Sequence, residues 1–306
     1  MTDINTTILF HTANYEYLAK KVATCCSAVA LGEVELDRFS DGERYQRIVT
    51  EIEGKNVALL GGTIDDPDTL ELYDLASALV SYGCNQLQLI VPYYGYSTME
   101  RAVKAREVVT AKTRARLLSS IPGSVKGNRI YLFDLHSEGI PHYFENQIHP
   151  VHVYCKEIVM EAARKHCGND FILASTDAGR AKWVESLAND MGVNAAFVLK
   201  RRLRDDETTV TAINADVEGR DVIIYDDMIR SGGSILHAAQ AYTDAGARRI
   251  LVITTHGLFI QGGIEKMRRS GLIEKVICMD THPNVNQIND DFVEVHSIDK
   301  LIARLL

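Results

Sequence analysis

The sequence predicts an α/β protein of two similar domains, each a mostly parallel sheet with helices on both faces. Short β-branched runs alternate with longer amphipathic patterns along all 306 residues. Strand alternating with helix is the signature of parallel sheets covered on both sides. The length suits two domains of ordinary size. Both halves also close apolar runs with polar tips, Asp134-Leu135-His136 in the first, Thr176-Asp177-Ala178-Gly179 and Asp226-Asp227 in the second. The boundary is placed after Gln147, giving domains of 1–147 and 148–306 with no low-complexity linker between them.

Taken in order, Val57–Leu60, Leu87–Val91 and Ile130–Phe133 read as buried strands of the first half. Ile172–Ala174, Val222–Tyr225, Ile250–Ile253 and Val276–Met279 do so in the second. Each is short and apolar, as a strand buried on both faces must be. Helix patterns lie between them at Asp68–Tyr82, Thr110–Ser119, Val153–His166, Ala181–Asp190 and Ile235–Ala245.

Hydrophobic content of 46% and charged content of 24% are those of a soluble globular protein. A formal net charge of -8 argues against a general nucleic-acid-binding surface. Six cysteines without CxxC spacing read as reduced core residues of a cytosolic protein. No run approaches the roughly 18 apolar residues of a membrane span, and no signal pattern opens the chain. A cytoplasmic protein with neither nucleic-acid nor membrane partner is expected. His142, His149 and His152 fit no common zinc spacing.

The stretch from Val222 to Ser234 carries the most chemistry. An apolar run ends in Asp226 and Asp227, followed by Arg230, Ser231, Gly232, Gly233 and Ser234, and then a helix pattern. Ligands of open α/β sheets bind beyond the carboxyl ends of strands. A Gly/Ser turn entering a helix offers unpaired N–H groups to a phosphate. The two acids suit ribose hydroxyls, or Mg2+ held through water. Both are read as facing the ligand and adding little to core packing. Acids beside a phosphate cradle point to a phosphorylated sugar.

This stretch resembles the phosphoribosyl-diphosphate-binding motif of type I phosphoribosyltransferases. Its Asp226–Ile229 start is most similar to that of ribose-phosphate diphosphokinases, and the resemblance covers nearly the whole chain. It implies two phosphoribosyltransferase-like domains, the first on the ATP side and the second on the sugar-phosphate side. It also implies a Mg2+-dependent transferase of nucleotide biosynthesis that assembles with itself as a homodimer or homohexamer. Arg38–Glu43 resembles the family's RFSDGE segment, which reaches the adenine site of a neighbouring subunit. Phe39 would stack on the purine, and Asp41 and Glu43 would accept hydrogen bonds from its edge.

Pro92–Tyr96 resembles the family's PYFGY and Thr110-Ala111-Lys112 its TAK. Between them the family's Arg-Gln-Asp-Arg reads Thr98-Met99-Glu100-Arg101, so a donor pair is replaced while Arg101 remains for ATP. Lys104 and Arg106 lie close enough in sequence to compensate. His136 matches the DLH histidine that sits by the metal and the ATP phosphates. Asp177 matches the acid of SPDAG at a second metal position. Lys200-Arg201-Arg202 matches the KRR of the catalytic loop, so Lys200, Arg202 and His136 are the implied catalytic residues. Thr254–Phe259 and Asp280-Thr281 resemble THGLF and DT, read as packing and substrate-edge residues. No Walker A or GxGxxG string is present.

One departure bears on the substrate. Where the family usually has Asp-Thr-x-Gly-Thr, this chain has Arg230-Ser231-Gly232-Gly233-Ser234. The hydroxyls survive as serines, and Arg230 puts a cation where the family has an acid. The first expectation is transfer of the β,γ-diphosphate of ATP to the anomeric hydroxyl of ribose 5-phosphate. The second is the same transfer to ADP-ribose or another 5′-substituted ribose, which Arg230 would favour. The third is a non-catalytic regulatory homologue, against which the retained Lys200, Arg202, His136, Asp177, Asp226 and Asp227 stand.

Overall fold

The alternating pattern resolves into two sheets. The computed structural model describes residues 6–202 and 208–306. The chain divides into one unit of Met1–Tyr154 with Ile298–Leu306 and a second of Cys155–Ser297.

The first unit runs β1 (Thr7–His11), α1 (Glu16–Cys25), β2 (Val29–Leu31), β3 (Val34–Arg38), β4 (Arg44–Ile48), β5 (Asn56–Leu60), α2 (Asp66–Ser81), β6 (Gln86–Val91), α3 (Thr110–Ser119), β7 (Asn128–Phe133) and β8 (Ile148–Val153). The main sheet is parallel throughout, in the order β2-β1-β5-β6-β7-β8, and β3 and β4 form a separate antiparallel hairpin. Phe10, Leu59, Leu89 and Leu132 on the strands pack with Leu72, Leu75 and Leu79 of α2. Helix α2 starts where Asp65 accepts from the Asp68 N–H at 2.9 Å, with Pro67 in its first turn. After β6 the backbone passes so close to the β5 end that a Cβ on Gly95 would lie 1.9 Å from the Thr63 carbonyl oxygen. Glycine is required there.

The division falls after Tyr154, whereas the sequence reading set it after Gln147. Residues 148–153 pair with β7 as the edge strand of the first sheet. Pro150 sits in that strand, as proline does at an edge, and it disguises the strand in the sequence. The helix expected from Val153 therefore begins later.

The second unit runs α4 (Lys156–Cys167), β9 (Ile172–Ser175), α5 (Ala181–Met191), β10 (Asn194–Arg202), β11 (Thr208–Ile213), β12 (Asp221–Ile229), α6 (Gly233–Asp244), β13 (Arg249–Gly257), α7 (Gly263–Arg269), β14 (Lys275–Met279) and β15 (Val293–His296). The chain then returns to the first unit through α8 (Asp299–Ala303), which packs on α1. The second sheet has the order β11-β10-β9-β12-β13-β14-β15, parallel except for the β10–β11 pair. Without β11, this is the order of the first sheet strand for strand, so the two units repeat one topology. Ile172, Ile224 and Val252 pack on one face with Ala238 and Tyr242 of α6 and Met267 of α7. Strand alternation puts Tyr225 on the other face, where Trp183 of α5 stacks on it. Among the described residues no helix is long and apolar enough to cross a membrane.

Candidate active site

The acidic strand end differs from the sequence reading in one respect. Strand β12 continues through both acids to Ile229 instead of stopping at Tyr225. The carboxyls of Asp226 and Asp227 lie within hydrogen-bonding reach of each other, but their other partners differ. Asp226 keeps some solvent access. Its Oδ2 accepts from the Thr176 hydroxyl at 3.2 Å and its Oδ1 from the Asp227 N–H at 3.0 Å. Burial, and then the neighbouring Asp227 charge, push its carboxyl well above the usual range. Asp227 is only 2% exposed and meets Arg180 Nη2 at 2.5 Å. It is an ion-paired structural acid, so the expectation that it adds little to packing does not hold.

The Gly/Ser turn is braced from behind. The N–H groups of Leu258 and Phe259 donate to the Ile229 carbonyl at 2.9 and 3.1 Å. A Cβ on Gly263 would lie 3.0 Å from the Arg230 carbonyl oxygen, so the start of α7 supports the turn by close backbone approach. Gly232 takes φ +81°, which glycine adopts freely, and stands at the N-cap of α6 without a side-chain cap. A Cβ on Gly233 would meet open space, and Arg230 and Ser234 are exposed. The first N–H groups of a three-turn helix are thus offered outward, as an anion requires.

The same position in the first unit is closed. There Thr12 and Gly61 follow the paired His11 and Leu60, as Thr176 and Asp226 follow Ser175 and Tyr225. Gly61 and Gly62 thus stand where the second unit has its two acids. A Cβ on Gly61 would lie 2.7 Å from Thr12 Cγ2, and the Thr12 hydroxyl is buried without a hydrogen-bond partner. The following helix is capped by Asp65, with Asp66 and Asp68 in its first turn. Carboxylates occupy that helix end, which is unsuited to an anion, whereas the start of α6 carries neither a side-chain cap nor an acid in its first turn.

The residues assigned to ATP lie in the first unit. Phe39, Asp41 and Glu43 are exposed on the β3–β4 turn, closed by the Phe39 N–H to the Glu43 carbonyl at 2.9 Å. Phe39 is 55% exposed and meets Tyr45 edge-on. Arg101 is exposed, 3.4 Å from the Glu100 carboxylate. His136 is partly exposed just beyond β7, where Asp134 takes φ +34° and the Leu135 N–H donates to His152 Nε2 at 2.9 Å. Asp177 belongs to the second unit, with Oδ1 accepting from the Gly179 N–H at 2.8 Å. The side chains of Lys200 and Arg202 lie outside the described residues, although their backbone pairs with β11.

Sequence reasoning gave no role to Thr176 and Arg180, and took Thr254–His256 and Thr281 as packing and substrate-edge residues. Thr255, His256 and Thr281 form a buried network. The Thr281 hydroxyl donates to the Thr255 carbonyl at 2.8 Å and so accepts from His256 Nδ1 at 2.8 Å, which fixes that histidine's tautomer. Thr255 Oγ1 lies 3.1 Å from the Tyr225 hydroxyl. No local pattern marks Thr176 or Arg180, whose partners lie on β12.

Known proteins share this arrangement from end to end. A family model described as the N-terminal domain of ribose phosphate pyrophosphokinase matches residues 7–121, and one described as the phosphoribosyl synthetase-associated domain matches residues 175–305. The ribose-phosphate pyrophosphokinase of Thermotoga maritima is 30% identical over 94% of this chain and 90% of its own. That of Thermococcus kodakarensis is 30% identical over 82% and 86%. The crystal structure of phosphoribosylpyrophosphate synthetase from Mycobacterium smegmatis superposes with a TM-score of 0.86 at 26% identity, covering 98% of this chain and 97% of that one. With both domains matched and the relatives covered nearly to their full length, this chain belongs to the ribose-phosphate pyrophosphokinase family.

Proposed function

We propose that the protein transfers the β,γ-diphosphate of ATP to the anomeric hydroxyl of ribose 5-phosphate, giving phosphoribosyl diphosphate and AMP. The observation that carries this reading is the uncapped Gly/Ser turn at α6 beside Asp226, matched by a closed turn in the first unit. The 5-phosphate would sit on the N–H groups of residues 232–234 and the serine hydroxyls. Asp226 would accept from ribose hydroxyls, which relieves a carboxyl that burial and Asp227 disfavour as an anion. The anomeric oxygen then attacks the β-phosphorus, the bond from that phosphorus to the α,β-bridging oxygen breaks, and the hydroxyl proton passes to solvent. Charge builds on phosphoryl oxygens, where Lys200, Arg202 and His136 are the groups assigned to meet it.

Mg2+ fits these residues as a hydrated ion. Among the described residues no three His, Cys, Asp or Glu side chains gather into a ready-made cation site. Mg2+ commonly keeps several waters and leans on one or two carboxylates plus substrate phosphates. By resemblance His136 is assigned to one metal position and Asp177 to a second, and Mg2+ would supply neutralisation of triphosphate charge. Phe39, Asp41, Glu43 and Arg101 would hold the nucleotide. Exposure of Phe39 and Leu36 on the hairpin supports its reaching a neighbouring copy, in a cytoplasmic homo-oligomer. Incubation with ATP, Mg2+ and ribose 5-phosphate, followed by mass spectrometry, should find phosphoribosyl diphosphate and AMP in equal amounts. Substrate left unconsumed would contradict the reading.

A second acceptor is favoured by one observation. Arg230 is exposed at the open end of the cradle, where a second phosphate of an ADP-ribose-type sugar would extend. A charge-assisted bond to phosphate is worth about 1.5–3 kcal/mol, roughly ten- to a hundredfold in affinity. If ADP-ribose is the acceptor, Arg230→Asp should weaken it by at least that factor and ribose 5-phosphate much less. Equal shifts in competition binding would leave ribose 5-phosphate as the substrate.

A further inference from the structure

Strand β12 and the β9–α5 turn are fastened at two points. Tyr225 and Asp227 lie two residues apart on one face of the strand, about 6.6 Å along it. Arg180 and Trp183 lie three apart at the start of α5, nearly one helical turn. The Trp183 ring lies on Tyr225 with centroids 4.2 Å apart and planes 16° from parallel, and Arg180 meets Asp227 at 2.5 Å. The segment between carries Asp177, whose carboxylate closes its own turn through the Gly179 N–H. One residue earlier, the Thr176 hydroxyl reaches Asp226. The turn therefore holds both acids of the strand, Asp226 through Thr176 and Asp227 through Arg180.

The geometry points to Arg180 as a positioning residue of the sugar-phosphate site: its ion pair with Asp227 clamps the Thr176–Asp177 turn against β12 and leaves Asp226 as the acid offered to the sugar. The identity of the sugar rests on the function proposed above, whereas the clamp rests on the contacts alone. A buried carboxylate already held by a guanidinium is poorly placed to serve a ligand as well. Its worth to the site lies in fixing where Asp177 and Thr176 stand.

Trp183 is the single tryptophan of the chain, so its emission reports this turn. The test uses full-length wild type, Arg180→Lys, Arg180→Met and the double variant Arg180→Met/Asp227→Asn. Acrylamide quenching of Trp183 without ligand should rise about twofold in Arg180→Met as the turn loosens. Titration with ribose 5-phosphate and Mg2+, followed by the same emission and by calorimetry, should show affinity weakened at least about tenfold, with Arg180→Lys between the two. The double variant removes both buried charges and so keeps the fold should Arg180→Met alone lose it. Its affinity should remain weakened about tenfold, because the clamp is still missing. A residue that merely balanced a buried charge would give a double variant that binds like wild type. Affinity of the double variant within about twofold of wild type, or unchanged quenching in a folded Arg180→Met, overturns the inference. If the wild type itself fails to bind ribose 5-phosphate, the substrate reading fails, and the quenching comparison still decides the clamp.

Discussion

Replacing Lys200 or Arg202 with Ala should lower turnover by about 10²–10³-fold, with ground-state binding of ATP and sugar close to wild type. Diphosphoryl transfer spreads charge over the phosphoryl oxygens at the transition state, and cations that meet it there lower the barrier more than they tighten binding. Both residues follow from the KRR resemblance, and their backbone lies at the end of β10, paired with Val210 and Thr208 of β11. Steady-state kinetics with separate titration of each substrate checks the split. Near-normal turnover in both variants would return the run to a solvated charged strand.

Asp227→Asn should cost about 3–5 kcal/mol of stability, because it leaves the Arg180 guanidinium against a neutral amide in a buried setting. For a domain of this size that is a fall of roughly 6–20 °C in Tm. Asp226→Asn should behave differently. Its carboxyl is pushed upward by burial and by Asp227, so neutralising it removes an unfavourable charge, and the midpoint should stay near or slightly above wild type. Sugar-phosphate binding should nevertheless weaken, since the lost group is the one proposed to accept from the ribose. Thermal scans and binding measurements on the two variants separate these outcomes. An Asp227→Asn midpoint equal to wild type would show that the Arg180 pair carries no weight in the fold.

Much of the fold was legible because buried parallel strands are apolar on both faces. Leu87–Val91 and Val276–Met279 could be read directly, and Thr110–Ser119 is a helix with the expected bounds. The edge elements were not. Strand β8 carries His149, Pro150 and His152 among its apolar residues, and the β3–β4 hairpin is mostly polar and at most half-buried. The turn that opens α6 was legible in its glycines and serines. The different partners of Asp226 and Asp227 were hidden, because the strand was taken to stop at Tyr225, whereas it continues through both acids to Ile229 and brings them against the β9–α5 turn. Thr176 and Arg180 were hidden for a related reason: their partners lie about fifty residues along the chain, and no local pattern marks them.

The most direct test of the central claim follows the phosphorus atoms. ATP carrying oxygen-18 on its β- and γ-phosphates is incubated with the protein, Mg2+ and ribose 5-phosphate, and the products are separated and weighed by mass spectrometry. Transfer of the diphosphate as one unit predicts unlabelled AMP and a sugar diphosphate carrying both labelled groups. Labelled ADP together with a sugar that has gained a single phosphate would contradict the account.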